Sequence, residues 1–307
     1  MEQALQTKIL ERFAQQKGHT GLYYKNLVTG EEFGYQQDEA YLAASVIKLP
    51  IFMSIMKWAS EGKASLDEKI TVAQEDKLPI CGALTLFTDE PTVDIRTLCR
   101  LMISLSDNTA TNVLIRRFGI SAYVEEFRKL GLKNTALNRL LFQPELSAQG
   151  IENYIVPQEM GMLLEQIYNR TFVSEEVSAE INDTLLLQQI NHKIPGALGE
   201  GIVAHKTGED DNLTNDVGIV YSKTPFIVCF AGHDTDVYQF ETLIREVSAE
   251  LYHLHNIEIT AIKMTHWIFP MRLFLIVLFV PLFDGRQPLA DFGFRSLIGG
   301  TVVFSVL

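Results

Sequence analysis

The stretch SVIKLPIFMSIMKWASEG, residues 45–62, decides the fold of this chain. It is apolar almost all round and stops at Gly62, which predicts a buried helix. Pro50 is tolerated only near a helix start, so the helix is expected to begin at or just after Ser45. On a helix, residues three positions apart share a face, so the ammonium of Lys48 can lie beside the hydroxyl of Ser45.

This pairing has a chemical interpretation and a structural one. A serine needs a base to become a nucleophile, and a buried lysine with a lowered pKa can serve as that base. Backbone N–H groups and the dipole at a helix N-terminus can stabilise an oxyanion. The structural alternative is a capping serine with a lysine that extends to solvent, and S-x-x-K arises about once by chance in a chain of this length. The motif alone leaves both interpretations open.

Two more short motifs follow. S-D-N at 106–108 separates the helical runs DIRTLCRLMISL and TATNVLIRRF, where it would also suit a plain helix N-cap. K-T-G at 206–208 ends a β-rich run, where Gly would ordinarily begin a turn. The three motifs occur in order, 61 and 100 residues apart, at a helix start, an interhelical loop and a strand end. Together they are the signature set of class A β-lactamases and penicillin-binding proteins.

The pattern around the motifs gives the order of elements. Two β-rich runs flank Thr29-Gly30 as a hairpin, and three more (GIVAHKTG, NDVGIVY and PFIVCFAG) come late in the chain. Helical runs lie at 2–16, 45–62, 94–118, 121–130, 157–169 and 236–255, and 131–156 is irregular. The economical arrangement is α+β, with one antiparallel sheet made from both ends of the chain and a helical insert over about 62–195.

Over about residues 1–257 the chain resembles the class A β-lactamase-like, penicillin-recognising serine hydrolases. The hairpin before the nucleophile, LTNDVGIVY after K-T-G and the closing helix are also similar to that family. The resemblance implies a five-stranded antiparallel sheet with flanking helices plus an all-helical subdomain. It also implies an enzyme without cofactor or metal that opens the C–N bond of a β-lactam through an acyl-enzyme, the chemistry of antibiotic resistance.

The resemblance assigns the acylation step to three residues. Ser45 would be the acylated nucleophile, and Lys48 would be its base or proton relay. Ser106 would pass a proton to the leaving nitrogen of the substrate.

Substrate binding would fall to five further positions. Asn108 would hold the substrate amide, and Lys206 and Thr207 would bind its carboxylate, with Gly208 completing the motif. The backbone N–H of Glu209 and that of the nucleophile would form the oxyanion hole.

The chain departs from the family at 142–147, FQPELS, where class A enzymes read like W-E-P-E-L-N. Gln143 stands where the first Glu of that motif activates the deacylating water, and a carboxamide cannot take up the proton. Glu145 is expected to face elsewhere unless a shifted loop brings it into the role. The hydrolytic step therefore lacks its obvious base, and slow deacylation is expected.

Two other functions remain open, since the same motifs serve them. One is a D,D-peptidase or another amidase. The other is a non-hydrolytic β-lactam- or peptide-binding sensor module that is acylated once and holds the adduct. Continuous turnover of a chromogenic β-lactam, a single stoichiometric burst, or no reaction would distinguish these cases.

Composition narrows the range of partners. The net charge is −12 and no basic stripe is present, which argues against nucleic acid. The expected partner is a small-molecule β-lactam or peptide amide, bound by a monomer. The three cysteines match neither a disulfide framework nor a metal-ligand spacing.

Residues 258–307 are predicted to be a hydrophobic tail outside the hydrolase domain. Within them, 267–283 (WIFPMRLFLIVLFVPLF) has Arg272 as its only charge, and its 17 positions fall short of the roughly 20 that span a bilayer. Membrane contact is expected only through this segment. Residues 2–16 lack the apolar run of a signal peptide, which predicts a cytoplasmic location by default.

Overall fold

The computed structural model describes residues 3–79, 81–199 and 201–256. Its α-helices are α1 (Gln3–Ala14), α2 (Lys48–Ser60), α3 (Ile95–Ser104), α4 (Asn108–Phe118), α5 (Ile120–Lys129), α6 (Pro144–Ser147), α7 (Pro157–Tyr168), α8 (Glu175–Leu186) and α9 (237–256). Its strands are β1 (His19–Asn26), β2 (Glu32–Tyr35), β3 (Tyr41–Leu42), β4 (Lys69–Thr71), β5 (Thr92–Asp94), β6 (Tyr154–Ile155), β7 (Val203–Asp210), β8 (Leu213–Val220) and β9 (Phe226–His233). The predicted tail, 258–307, lies outside the described residues.

The central sheet has five strands in the order β2-β1-β9-β8-β7, each antiparallel to its neighbours. The hairpin predicted at Thr29-Gly30 joins β1 to β2, and the Asn26 side chain caps its turn by accepting the N–H groups of Val28 and Thr29 at 2.9 and 3.0 Å. The sheet is therefore built from both ends of the chain, as the sequence predicted. β7, which carries the K-T-G motif, is one of its edges.

Alternation along β9 divides the core into two clusters, one on each face of the sheet. Ile227 and Cys229 point into the cluster that contains α2 and the helical subdomain. Phe226 and Phe230 point into the cluster formed with α1 and α9, where Phe13 stacks on Phe230 with ring centroids 6.1 Å apart. The predicted α+β fold class is confirmed: helices cover both faces of one antiparallel sheet.

The helical subdomain surrounds α2, whose start differs in detail from the prediction. The chain enters as a 3₁₀ turn over Ala44–Ile47 and becomes α-helical at Lys48. Ser45 thus lies in the tighter turn, and Ala44 before it has a φ of +40°. Two short strands, β4 and β5, pair within this subdomain, so its described part is not purely helical.

Helix α8 was not predicted from the sequence. Ser174 caps its start by accepting the Val177 N–H at 3.2 Å. Three of its buried positions are polar, Ser178, Asn182 and Thr184. Polar groups on the buried face weaken the apolar periodicity from which a helix is recognised.

Membrane contact was predicted only for the tail. Across 3–79, 81–199 and 201–256, no helix combines the length and apolarity needed to cross a bilayer.

Candidate active site

The amine of Lys48 lies at the centre of the site. Its Nζ is 2.8 Å from Ser45 Oγ, 3.0 Å from Ser106 Oγ and 2.7 Å from Asn108 Oδ1. The Lys48 side chain is fully buried, and burial, followed by the charge of Lys206, holds its pKa well below the ordinary value. A lysine amine in these surroundings loses its proton readily, and the neutral amine can accept one from the Ser45 hydroxyl.

Ser106 connects two lysines. Its hydroxyl oxygen is 3.0 Å from Lys48 Nζ and 3.1 Å from Lys206 Nζ, and its carbonyl accepts from Lys48 Nζ at 2.8 Å. The residue has a φ of +53°, a left-handed conformation that costs a non-glycine residue about 1–3 kcal/mol. This strained turn aims both the hydroxyl and the carbonyl of Ser106 at the buried amines.

The other two residues of the S-D-N motif hold the turn in place. Asp107 is the N-cap of α4, where Oδ1 accepts the Ala110 N–H at 2.9 Å, and its Oδ2 accepts the N–H groups of Ala83 and Leu84 at 2.8 and 2.9 Å. The helix-capping alternative considered for this motif is therefore real for Asp107. Capping and the contact between Asn108 and Lys48 occur in the same turn.

The K-T-G strand lies against the nucleophile turn. A Cβ on Gly208 would be 3.0 Å from the Ala43 carbonyl oxygen and 3.1 Å from the Ser45 nitrogen. Glycine suits this close approach, because a Cβ at these distances would force β7 or the nucleophile turn to shift by a few tenths of an ångström. On an edge strand, alternate backbone N–H groups point away from the neighbouring strand. Those of β7 therefore lie near Ser45, and the sequence analysis predicts that the N–H of Glu209 is one of them.

The side chain of Lys206, a residue of β7, is fully buried. Its Nζ donates to Ser106 Oγ and, at 2.9 Å, to the Thr207 carbonyl. Burial, together with the charge of Lys193, lowers the pKa of Lys206 to about 7. The structure thus brings together the side chains of all three motifs predicted from the sequence.

Comparison with known proteins decides the family. The model of the beta-lactamase enzyme family matches residues 4–254. The chain belongs to this family. It is a β-lactamase-like serine hydrolase, which confirms the resemblance inferred from the three motifs.

Three relatives show how far the similarity extends. A β-lactamase of Rhodobacter capsulatus is 26% identical over 245 residues, covering 76% of this chain and 82% of that protein. The structure of PBP-A is 28% identical with a TM-score of 0.75, covering 82% of this chain and 96% of that one. A PBP-A variant solved as an acyl-enzyme complex with penicillin G is 28% identical with a TM-score of 0.74, over the same shares of the two chains.

In this β-lactamase family member, the loop over 138–153 closes on itself. Arg139 and Glu152 form an ion pair at its neck, with Nη2 and Oε2 2.5 Å apart. Asn153 accepts the backbone N–H groups of Asn138 and Arg139 at 2.8 and 3.1 Å, and its carbonyl accepts the Ala43 N–H at 2.9 Å. The neck of the loop is therefore hydrogen-bonded to the turn that carries Ser45.

Gln143, Glu145 and Leu141 have different surroundings in this loop. The Gln143 carboxamide turns back and accepts the Leu140 N–H at 2.9 Å, while the Glu145 side chain is exposed. Leu141 instead makes two backbone hydrogen bonds, each 2.9 Å long, to the side chain of Asn112. Asn112 is buried on α4, one helical turn after Asn108, so the backbone of Leu141 is fixed to the helix that carries Asn108.

Sequence reasoning missed the residues that brace the site. Asn215 on β8 donates to the carbonyls of Leu42 and Ala43 at 2.9 and 3.1 Å and accepts the Gly232 N–H at 2.9 Å, which joins the nucleophile turn to the sheet. A polar residue inside the β-branched run NDVGIVY was the available signal for it. The same signal marks Asp216, whose Oδ1 lies 2.8 Å from Nδ1 of the buried His205.

Two groups of described residues bring together side chains of the kinds that bind metals. One contains His19, His233 and Asp234, and the other contains His192, Glu209 and Glu241. Neither group includes the serines and lysines of the three motifs. The second adjoins K-T-G through Glu209.

Proposed function

We propose that this chain opens a β-lactam amide through an acyl-enzyme on Ser45 and hydrolyses that acyl-enzyme slowly. The observation that carries the proposal is the 2.8 Å contact between Ser45 Oγ and the buried Lys48 amine, whose pKa is lowered by burial. A neutral amine at this distance is a general base within reach of the proton that it must remove.

Acylation then proceeds by nucleophilic attack followed by proton transfer to the leaving nitrogen. Lys48 takes the Ser45 proton as Oγ attacks the lactam carbonyl, and the backbone N–H groups of Ser45 and Glu209 stabilise the oxyanion. The proton passes from Lys48 through the Ser106 hydroxyl, 3.0 Å away, to the lactam nitrogen as the C–N bond breaks. The product is an ester on Ser45 with the ring opened, and Lys48 is neutral again.

Deacylation needs a group that activates water, and the loop does not offer its usual carboxylate. Gln143 cannot act as a base, and Glu145 is exposed. Loss of general-base catalysis typically slows a step by about 10²–10⁴-fold, so the acyl-enzyme is expected to accumulate. The acyl-enzyme complex with penicillin G solved for a PBP-A variant supports the formation of an acyl-enzyme, the first step of the proposed reaction.

The test is a burst experiment with a chromogenic β-lactam, followed by mass spectrometry of the adduct. We expect about one equivalent of fast product release, slow turnover afterwards, and a single adduct on Ser45. Ser45→Ala should abolish the burst and the adduct, whereas Ser60→Ala, an exposed serine at the end of α2, should retain both.

Other outcomes would identify a different function. A burst with no turnover would favour the sensor module, and release of a terminal residue from a D,D-peptide without β-lactam turnover would favour the peptidase. Labelling of a residue other than Ser45 would contradict the assignment of the nucleophile.

A further inference from the structure

Lys193 is a buried cation that the acyl-transfer steps do not use. Its side chain is completely buried, and Nζ donates to the carbonyls of Gly208 and Asn215 at 3.1 and 3.2 Å. These two residues are paired across β7 and β8. The Lys193 ammonium therefore lies against the two strands at the edge of the sheet, beside the K-T-G motif.

The third N–H of Lys193 meets a carboxylate. Glu209 Oε1 is 2.9 Å from Lys193 Nζ, and the Glu209 side chain is 46% exposed. An ammonium has three donors, so these three acceptors satisfy it. Glu209 is the partner that faces solvent, and it covers the buried charge.

Strand geometry places this ion pair beside the position assigned to the substrate carboxylate. Side chains two residues apart on a strand share a face, so Glu209 and Thr207 point to the same side of β7. Lys193 contacts Glu209 and must lie on that side too. Thr207, by the family resemblance, contacts the carboxylate of the acyl donor.

We propose that Glu209 is a built-in anion on Lys193, which a carboxylate of the acyl donor must displace in order to bind that ammonium. The proposal rests on the proposed acyl-transfer function and adds a specificity-determining side chain to it. Glu209 lowers the kcat/KM for acylation by anionic donors relative to that for neutral donors. Removing Glu209 uncovers an anion subsite formed by Lys193 beside K-T-G.

Neighbouring charges favour an ammonium over a metal ion at this place. Glu209, Glu241 and His192 are grouped closely enough to bind a metal, but the Lys193 ammonium is already 2.9 Å from Glu209 and 4.0 Å from Glu241. Glu241 also accepts from Thr214 Oγ1 at 3.0 Å, and His192 Nε2 lies 3.4 Å from both Glu241 and Glu209. The Glu241 side chain is 15% exposed and that of Glu209 is 46% exposed, so Glu209 is the carboxylate that a ligand from solvent can replace.

The first test compares a penicillin that has its free carboxylate with the same penicillin as a carboxamide. The readout is the ratio of kcat/KM for acylation by the two donors. Glu209→Ala should raise this ratio about tenfold or more, since a charge-assisted hydrogen bond becomes available to the anionic donor. Asp210→Asn is the matched control, because it removes the same charge from the next residue and should leave the ratio unchanged.

A double-mutant cycle isolates the contact. In a Lys193→Met background, Glu209→Ala should no longer raise the ratio, because no ammonium is left to uncover. An unchanged ratio in Glu209→Ala would overturn the proposal. An equal rise in Asp210→Asn, or an equal loss of rate with both donors, would also overturn it, since the first indicates long-range charge and the second indicates support of the strand.

The second test needs no enzymatic activity. Sodium acetate is exchanged for sodium chloride at constant ionic strength, and the thermal midpoint of unfolding is followed. Acetate should stabilise Glu209→Ala more than it stabilises the unaltered chain or Asp210→Asn. Equal stabilisation of all three would contradict the anion subsite. If neither penicillin acylates Ser45 in any variant, the proposed function fails, and the acetate experiment still decides this proposal.

Discussion

Two buried lysines, Lys48 and Lys206, both contact the Ser106 hydroxyl, and their pKa values explain why they can have different roles. Lys48 and Lys206 are 3.0 and 3.1 Å from Ser106 Oγ, and burial lowers both pKa values. Like charges at this separation in a buried site disfavour double protonation. Lys48 is thus available as a neutral base, while Lys206, with a pKa of about 7, remains protonated below that pH.

The Lys206 ammonium should control the alkaline side of the pH profile. The pKa of Lys206 is about 7, so its positive charge is lost as the pH rises through that value. We expect kcat/KM for a carboxylate-bearing donor to fall above about pH 7, since kcat/KM reports pKa values of the free enzyme. The carboxamide of the same donor should not show this decline.

Lys206→Arg provides the check on that assignment. Arginine remains protonated at every accessible pH, so the variant should lose the decline that the anionic donor shows. A decline that persists in Lys206→Arg, or that appears equally with the carboxamide, would assign the titration to another group.

The loop over 138–153 offers two positions for a new carboxylate. The sequence motif favours Gln143, whereas the geometry favours Leu141, which Asn112 fixes to α4. We expect Leu141→Glu to speed deacylation by about 10²-fold or more, the typical gain from a positioned general base. Gln143→Glu should do less, because its carboxylate would accept the Leu140 N–H as the carboxamide now does.

Single-turnover kinetics separates acylation from deacylation in these variants. The burst rate should change little, since the substitutions leave Ser45 and Lys48 in place. Glu145→Gln is the control, and slower deacylation in that variant would mean that Glu145 already activates the water. A larger gain from Gln143→Glu than from Leu141→Glu would support the sequence motif over the geometry.

Motif spacing predicted the candidate residues that the structure brings together, because they are confined to short, chemically distinctive segments. Ser45 and Lys48 share one helical turn, and that local geometry follows from sequence alone. Lys193 and Asn112 were missed for the opposite reason. Their partners lie 15 to 29 positions away, and nothing local distinguishes a buried lysine or asparagine from an exposed one.

Among the elements, α2 depends on a buried carboxylate that comes from α5. Glu126 is 2% exposed; its Oε1 accepts from Lys57 Nζ at 2.5 Å and its Oε2 accepts from Trp58 Nε1 at 2.9 Å. These contacts fix the end of α2 that is farther from Ser45. A buried charge of this kind contributes mainly through the penalty for leaving its partners unpaired.

Glu126→Ala should therefore lower the free energy of unfolding by about 3 kcal/mol, the usual cost of breaking a buried pair. Chemical denaturation measures this change. Glu125→Ala, on the neighbouring exposed residue of the same helix, is the matched control and should leave the unfolding midpoint within error. Similar losses in both variants would show that removal of a negative charge from α5, rather than loss of the buried contact, is responsible.

Element types were predictable where the sequence carries a local pattern. The hairpin and the three late strands are β-rich runs bounded by turn residues, α7 is a helical run, and the structure contains them near the predicted bounds. The exception, α8, buries Ser178 and Asn182, and the Asn182 side chain accepts a 2.5 Å hydrogen bond from the Tyr221 hydroxyl. A buried polar face is stabilised by partners distant in sequence, so periodicity does not reveal it.

At the scale of the whole molecule, the described residues close the core on both faces of the sheet. The cluster on one face is completed by α9, which contributes Phe240, Ile244 and Leu251, all with no exposed surface. The family match ends at residue 254, within the same helix. Both observations favour the predicted boundary at 257 between a hydrolase domain and the tail.

A chain ending at residue 257 should therefore unfold at the same temperature as the full chain and be acylated on Ser45 at the same rate. The physical reason is that the described buried residues of the two apolar clusters come from positions up to 251, and the buried His255, which packs on Phe226, is also retained. A chain ending at 236 is the control, and it should fail to fold cooperatively because loss of the buried side chains of α9 would leave one face of the sheet open to water. If the 257 truncation instead unfolds at a lower temperature or loses acylation, then residues 258–307 belong to the hydrolase domain, and the boundary must be moved.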